Sequence, residues 1–168
     1  MLDIVKYPSP VLRKKSSDVD IVGDDERCLF GDMLKTMQMS RGLGIAAPQV
    51  GINKKMVIVQ VADNKLLKMV NPRILEAKGQ ERMEEGCLSI PNLYVNVRRS
   101  KWVKVQYVDE NGKKQTLEAK GLLARAILHE IDHLNGKLIA DYLNPIIKFF
   151  VLRKTKQREG TTNGKRII

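Results

Sequence analysis

The five residues His129-Glu-Ile-Asp-His133 contain both histidines of the chain. On a helix, positions i and i+4 lie one turn apart on one face, where two imidazoles can bind one metal ion. Glu130 lies next to that face, positioned to take a proton from metal-activated water. The neighbours Leu128, Ile131 and Leu134 are apolar. They argue for a partly buried pair rather than a chance match on a charged surface helix. The chemistry indicated is metal-assisted hydrolysis, which needs a third protein ligand and one open coordination position.

Several residues compete for the third-ligand role. The extended zinc-protease pattern would put a histidine at position 139, where Ile139 stands. Asp141 has no motif around it, and Glu159 falls inside a basic tail. Upstream, Cys87 sits in Glu84-Glu-Gly-Cys-Leu-Ser-Ile-Pro91. A thiolate is an excellent ligand for zinc or ferrous iron, and the metal lowers its pKa. Taken singly, Cys87 reads as a buried structural thiol. Beside a two-histidine helix short of a ligand, the metal role is favoured. A metalloprotease acting on internal peptide bonds would use a downstream ligand and would keep its metal in a Cys87→Ala variant.

The elements that must position these groups follow from periodicity. Leu29, Phe30, Met33, Leu34 and Met37 give a helical stripe over 24–41, with Asp24 as N-cap and Gly42 as stop. Cys28, beside that stripe, reads as a small buried hydrophobe. Gly42–Gln49 is too small and Gly-rich for a packed helix. Met56–Ala62 reads as a buried strand, and 70–75 as a short extended piece that Pro72 confines to a sheet edge. Val103, Val105 and Tyr107 mark a strand, Asn111-Gly112 a two-residue turn, and 115–118 the returning strand. Leu122, Leu123, Ala126, Ile127, Ile131 and Leu134 mark the motif helix, ending near Gly136. Pro145 opens a last helix over 146–156. Helices at both ends with strands between them indicate an α+β fold.

Composition sets the outer bounds. A chain of 168 residues, 43% hydrophobic and 29% charged, is one ordinary domain. Its longest apolar stretch is far below the ~20 residues that span a bilayer, so no membrane partner is expected. Asp3, Lys6, Pro8 and Pro10 interrupt any secretory signal. Only Cys28 and Cys87 are present, which rules out a disulfide framework and favours a cytoplasmic setting. The net charge of +11 points to an anionic partner, and much of it lies from Lys148 to Arg166. Aromatics make up only 5%, with no basic–aromatic interleaving. That argues against a protein whose main task is RNA binding.

Three motifs in order, Gly42-Leu-Gly-Ile-Ala-Ala-Pro-Gln49, Glu85-Gly-Cys-Leu-Ser89 and His129-Glu-Ile-Asp-His133, give the chain its resemblance to the peptide deformylases. The match runs from about Ile4 to Leu143. It implies an α+β, peptide-deformylase-like fold with mixed and antiparallel strands around a central His-Glu-x-x-His helix, followed by a C-terminal helix. Residues 1–145 would form a single catalytic domain and 146–168 a C-terminal helix and basic tail.

The resemblance also assigns roles. Cys87, His129 and His133 would bind one Fe2+ per chain, with Zn2+ or Ni2+ able to substitute. A metal-held hydroxide would attack the formyl group on the initiator methionine of nascent chains, releasing formate. Glu130 would be general base and then acid; Gln49 and the backbone N–H of Leu88 would stabilise the oxyanion. Peptide contacts would fall on the main chain of Leu43, Gly44 and Gly86, the two glycines allowing a substrate backbone to approach closely. Leu122 and Ala126 would line the methionine pocket, with Arg125 snorkelling outward over it. Tyr94 stands where some relatives carry a basic, peptide-anchoring residue. Asp132 is expected to turn from the metal toward Arg98 or Arg99. The expected protein is a cytoplasmic monomer whose basic tail meets ribosomal RNA.

Overall fold

The computed structural model describes residues 2–61 and 66–155, without the side chains of 152–155. The chain starts with an extended segment and a 3₁₀ turn (Pro10–Arg13), then helix α1 (Asp24–Met39). Strands β1 (Gly44–Ala46), β2 (Met56–Val59) and β3 (Leu67–Lys78) follow, with a 3₁₀ turn, Ala47–Val50, after β1. Next come β4 (Glu81–Cys87), β5 (Ile90–Arg99), β6 (Trp102–Val108) and β7 (Lys114–Lys120). The motif helix α2 (Gly121–Leu134), a 3₁₀ turn (Ile139–Tyr142) and α3 (Pro145–Thr155) complete the fold.

One antiparallel sheet has the order β1-β2-β3-β6-β7; β4 and β5 form a separate hairpin. Strand β2 is buried along its whole length, because a helix covers each face of the larger sheet. Ala46, Val57 and Val59 pack with Ala124, Ala126 and Ile127 of α2. Their neighbours Ile45, Met56 and Ile58 point the other way, onto Phe30, Met33 and Met37 of α1. A third cluster joins Cys87, Leu93, Val95 and Val97 of the hairpin to Leu12, Leu138 and Ile139. The α+β class with an embedded motif helix and a C-terminal helix is as expected.

Several local expectations are corrected. Gly23, not Asp24, is the α1 N-cap; Glu26 reaches back to accept the Gly23 N–H at 2.9 Å. The helix stops at Met39, and Arg41, with φ 55°, turns the chain before Gly42. The extended piece around Pro72 is part of a twelve-residue strand inside the sheet, not at its edge. A register shift between Val70 and Arg73 absorbs the proline, with Asn71 left-handed at φ 49°. The β6–β7 connection is longer than a two-residue turn. Asp109 N–H bonds the Lys113 carbonyl, and Gly112 takes φ 76° between them. Strand β2 ends at Val59, Ala62 and Lys156 lie outside the described residues, and Cys28 is exposed rather than buried. The β4–β5 hairpin was not anticipated.

Candidate metal centre and catalytic groups

Helix α2 lies against the larger sheet and holds His129, Glu130 and His133 almost without solvent exposure. It begins at Gly121, whose φ of 56° lets the chain turn from β7 into the helix. Cys87 ends β4, followed by the tight Leu88-Ser89 connection to β5, and is also buried. The ligand atoms of Cys87, His129 and His133 lie within 4.8 Å of one another. His133 Nε2 is 3.3 Å from Cys87 Sγ, and the two imidazole centroids are 5.0 Å apart.

The residues present fit a transition-metal ion. One thiol and two imidazoles make a donor set suited to zinc or ferrous iron. His129 Nε2, His133 Nδ1 and both carboxylate oxygens of Glu130 are buried without a hydrogen-bond partner. Burial, then His129 and Arg99, push the His133 pKa well down, so its ring is neutral as a ligand must be. Burial pushes the Cys87 thiol up to about 12, partly opposed by N–H groups of Ser89 and Ile90 on the sulfur. Burial also raises Glu130 well above the carboxylate range, with Arg99 opposing.

Gly44 makes room for Glu130. A Cβ there would lie 2.5 Å from Glu130 Oε1. Its small size therefore makes room for the Glu130 carboxylate. Gln49 is 1% exposed in the 3₁₀ turn after β1. Its Oε1 accepts the Ala46 N–H at 2.8 Å, which directs the amide nitrogen toward Cys87, 3.7 Å from Sγ.

A buried ionic network holds the first histidine. Glu85 accepts Arg99 Nε at 2.6 Å and Nη2 at 2.9 Å, and Arg125 Nη1 at 2.7 Å. Its other contact is His129 Nδ1, at 3.0 Å. Donation from Nδ1 to this carboxylate fixes the tautomer and leaves Nε2 free to bind metal. Burial opposes ionisation of Glu85, but hydrogen bonds from His129 and Arg99 outweigh it and hold the pKa at about 2. Arg99 Nη1 also reaches Asp132 at 2.8 Å, and Tyr142 OH donates to Asp132 at 2.7 Å. Asp132 thus pairs with Arg99 and Tyr142 and is not in the Cys87-His129-His133 cluster; Arg98 is exposed.

Arg125 corrects an expectation. It is 2% exposed and bonds Glu85 and the carbonyls of Val97 and Glu81, so it does not snorkel over a pocket. A buried carboxylate draws it inward. Sequence reasoning missed Glu85 and Arg125 as supports of the site. One signal was available: Leu93, Val95 and Val97 alternate inward on β5 and the next inward position is Arg99, a charge that needs a buried partner.

The remaining expected residues have these places. Gly44 pairs with Val59, and Gly86 with Tyr94, which is exposed. Leu43 is half-buried, and its carbonyl accepts the Gln60 N–H. Leu122 is exposed at the start of α2, and Ala126 is fully buried under the sheet. The rival third ligand Asp141 is spent on Arg13, Lys148 and the Leu138 N–H; Glu159 is outside the described residues.

Comparison with known proteins points to one family. The family model described as polypeptide deformylase matches residues 1–149. A peptide deformylase of Alkalilimnicola ehrlichii is 41% identical over 168 residues, covering 97% of this chain and 94% of its own. Peptide deformylase 2 of Clostridium acetobutylicum is 46% identical over 139 residues, covering 82% and 92%. A crystal structure of peptide deformylase from Ehrlichia chaffeensis superposes with TM-score 0.92 at 35% identity, covering 96% and 99%. Peptide deformylases are metalloenzymes, in keeping with the buried Cys-His-His cluster. On motif order, fold and similarity along nearly its whole length, the chain belongs to the polypeptide deformylase family.

Proposed function

We propose that this chain hydrolyses the N-formyl group from the initiator methionine of nascent polypeptides, releasing formate. The observation that carries the reading is the buried cluster of Cys87, His129 and His133, with the unpartnered, buried carboxylate of Glu130 next to His129 on the same helix. Bound by Cys87, His129 and His133, a divalent cation supplies Lewis acidity toward water and the formyl oxygen. Glu130 takes the proton of the attacking water and returns it to the leaving amine nitrogen. The Gln49 amide, aimed by its bond to Ala46, and the Leu88 N–H donate to the developing oxyanion. Each such donor is worth ~2.7–4 kcal/mol.

The peptide runs along Leu43, Gly44 and Gly86. Strands β1 and β4 each have a single strand partner among the described residues, which suits addition of an extended substrate. Leu122 and Ala126 contact the methionine side chain. Residues 1–145 act as the catalytic unit, with 146–168 appended. Ferrous iron is the native metal, and zinc or nickel can replace it. The iron form is oxygen-sensitive, because thiolate and Fe(II) are both oxidisable.

The test is anaerobic formate release from a formyl-Met dipeptide by iron- or nickel-loaded protein. Release by the wild type and its collapse in Glu130→Ala are expected. No release from protein with stoichiometric metal overturns the reading.

The site of action is the cytoplasm and the active species a monomer. No helix among the described residues is long and apolar enough to cross a membrane. Lys148, Arg153, Lys154, Lys156, Arg158, Lys165 and Arg166 stand against Glu159 alone near the C-terminus, and ribosomal RNA is the natural anionic partner. Protein truncated after Leu143 should stay folded and pellet less with ribosomes at low salt; equal pelleting rejects the tail as the contact.

A further inference from the structure

The segment Val5-Lys6-Tyr7 crosses both turns that carry catalytic groups. The Val5 N–H donates to the Gln49 carbonyl at 2.8 Å, and the Tyr7 N–H to the Ser89 carbonyl at 2.9 Å. Between them, Lys6 Nζ donates to the Leu88 carbonyl at 2.7 Å. The Leu88 carbonyl shares a peptide unit with the Ser89 N–H, and the Ser89 carbonyl shares one with the Ile90 N–H. Both of those N–H groups act on the Cys87 sulfur, each favouring its charged form. Two relays therefore end on one sulfur: one starts at the Lys6 ammonium, the other at the Tyr7 backbone.

A donor on a peptide carbonyl polarises that unit and strengthens the bond its N–H makes, most of all when the donor is charged. Tyr7 supplies a backbone N–H, which nearly any residue at that position would provide. Lys6 supplies a full charge from a side chain. Burial pushes the Lys6 pKa down, and attraction to the Cys87 sulfur opposes that.

We propose that Lys6 is a positioning residue of the metal centre: it holds and polarises the Leu88–Ser89 peptide and thereby sets how strongly the Cys87 sulfur donates to the metal. The inference rests on Cys87 being a metal ligand, as proposed above. Hydrogen bonding withdraws electron density from a ligating sulfur, so losing the ammonium leaves an electron-richer, more easily oxidised donor.

Cobalt(II)-loaded protein tests this through its near-ultraviolet thiolate-to-cobalt charge-transfer band. Lys6→Met should move the band to lower energy, Lys6→Arg should return it toward the wild-type position, and Lys114→Met, exposed on β7, should leave it in place. Thermal unfolding of the metal-free variants is measured alongside. A lowered Tm with an unmoved band at full cobalt occupancy means a merely structural lysine and overturns the inference. So does an unmoved band with unchanged Tm. A wild-type protein with bound cobalt but no thiolate band overturns the Cys87 ligand assignment itself, and the role of Lys6 with it.

Discussion

Two buried polar clusters meet at His129. On its Nδ1 side, Glu85, Arg99, Arg125, Asp132 and Tyr142 bond to one another, two carboxylates facing two guanidiniums. On its Nε2 side, that nitrogen and both Glu130 carboxylate oxygens are buried with no partner, near His133 and a buried thiol. Leaving such atoms unmatched costs about 1–3 kcal/mol each, and more where charge is involved. A fold that can satisfy Glu85 so fully leaves Glu130 unmatched, although Glu130 directly follows the histidine that Glu85 holds. The matched side fixes geometry; the unmatched side is the one proposed to receive a metal and a substrate.

Four experiments press on this contrast. The largest effect is expected at Glu130. Replacing it with Gln or Ala should lower formate release by about 10²–10⁴-fold, while Tm holds or rises, because an unpaired buried carboxylate has been removed. A sharp loss of stability would show that Glu130 is structurally matched after all. Glu85→Ala should behave in the opposite way. It strands two buried guanidinium groups and should cost ~3–5 kcal/mol in urea unfolding, with Glu85→Gln milder. An unfolding free energy equal to wild type would remove the scaffold role.

Gln49→Ala should lower kcat by about 10²–10³-fold with KM little changed. Equal loss in kcat/KM through KM alone would make it a binding group. The smallest effect belongs to Asp141, a matched carboxylate outside both clusters. Burial opposes its ionisation, but Arg13, the Leu138 N–H and Lys148 outweigh it and hold its pKa at about 2. The unfolded-state value is higher, so its contribution, about 2 kcal/mol, is complete above roughly pH 4 and fades as pH falls toward 2. Urea midpoints of wild type and Asp141→Asn should therefore differ at pH 6 and converge near pH 2.

The matched cluster was the harder of the two to read from sequence. Two of the three clustered residues, His129 and His133, announce themselves by type and spacing, since i,i+4 histidines have few other uses; Cys87 stands out only beside them. The motif helix was legible because Leu123, Ala126, Ile127 and Leu134 keep its period. Strand β4 hid because its first four residues, Glu81 to Glu84, are all exposed and show no alternation. Strand β3 was cut short on paper by Pro72, since a bulge that admits proline leaves no local mark. Arg125 looked like a surface residue because its partner Glu85 is 40 positions away. Buried ion pairs between distant segments have no period, and only the assembled fold brings them together.

The hairpin and the motif helix are distinct parts of the fold, and the three residues proposed to hold the metal are divided between them. Cys87 closes a strand of one; His129 and His133 sit on the other, packed to the five-stranded sheet. A bound cation is then a cross-link between segments far apart in the chain, with the same logic as a disulfide but reversible. Its contribution to stability follows its free concentration, about 4 kcal/mol at a thousandfold excess over Kd. Melting temperature should therefore fall on chelation and return on readdition. In a cell short of the metal, such a protein loses resistance to unfolding, and so lifetime, along with turnover.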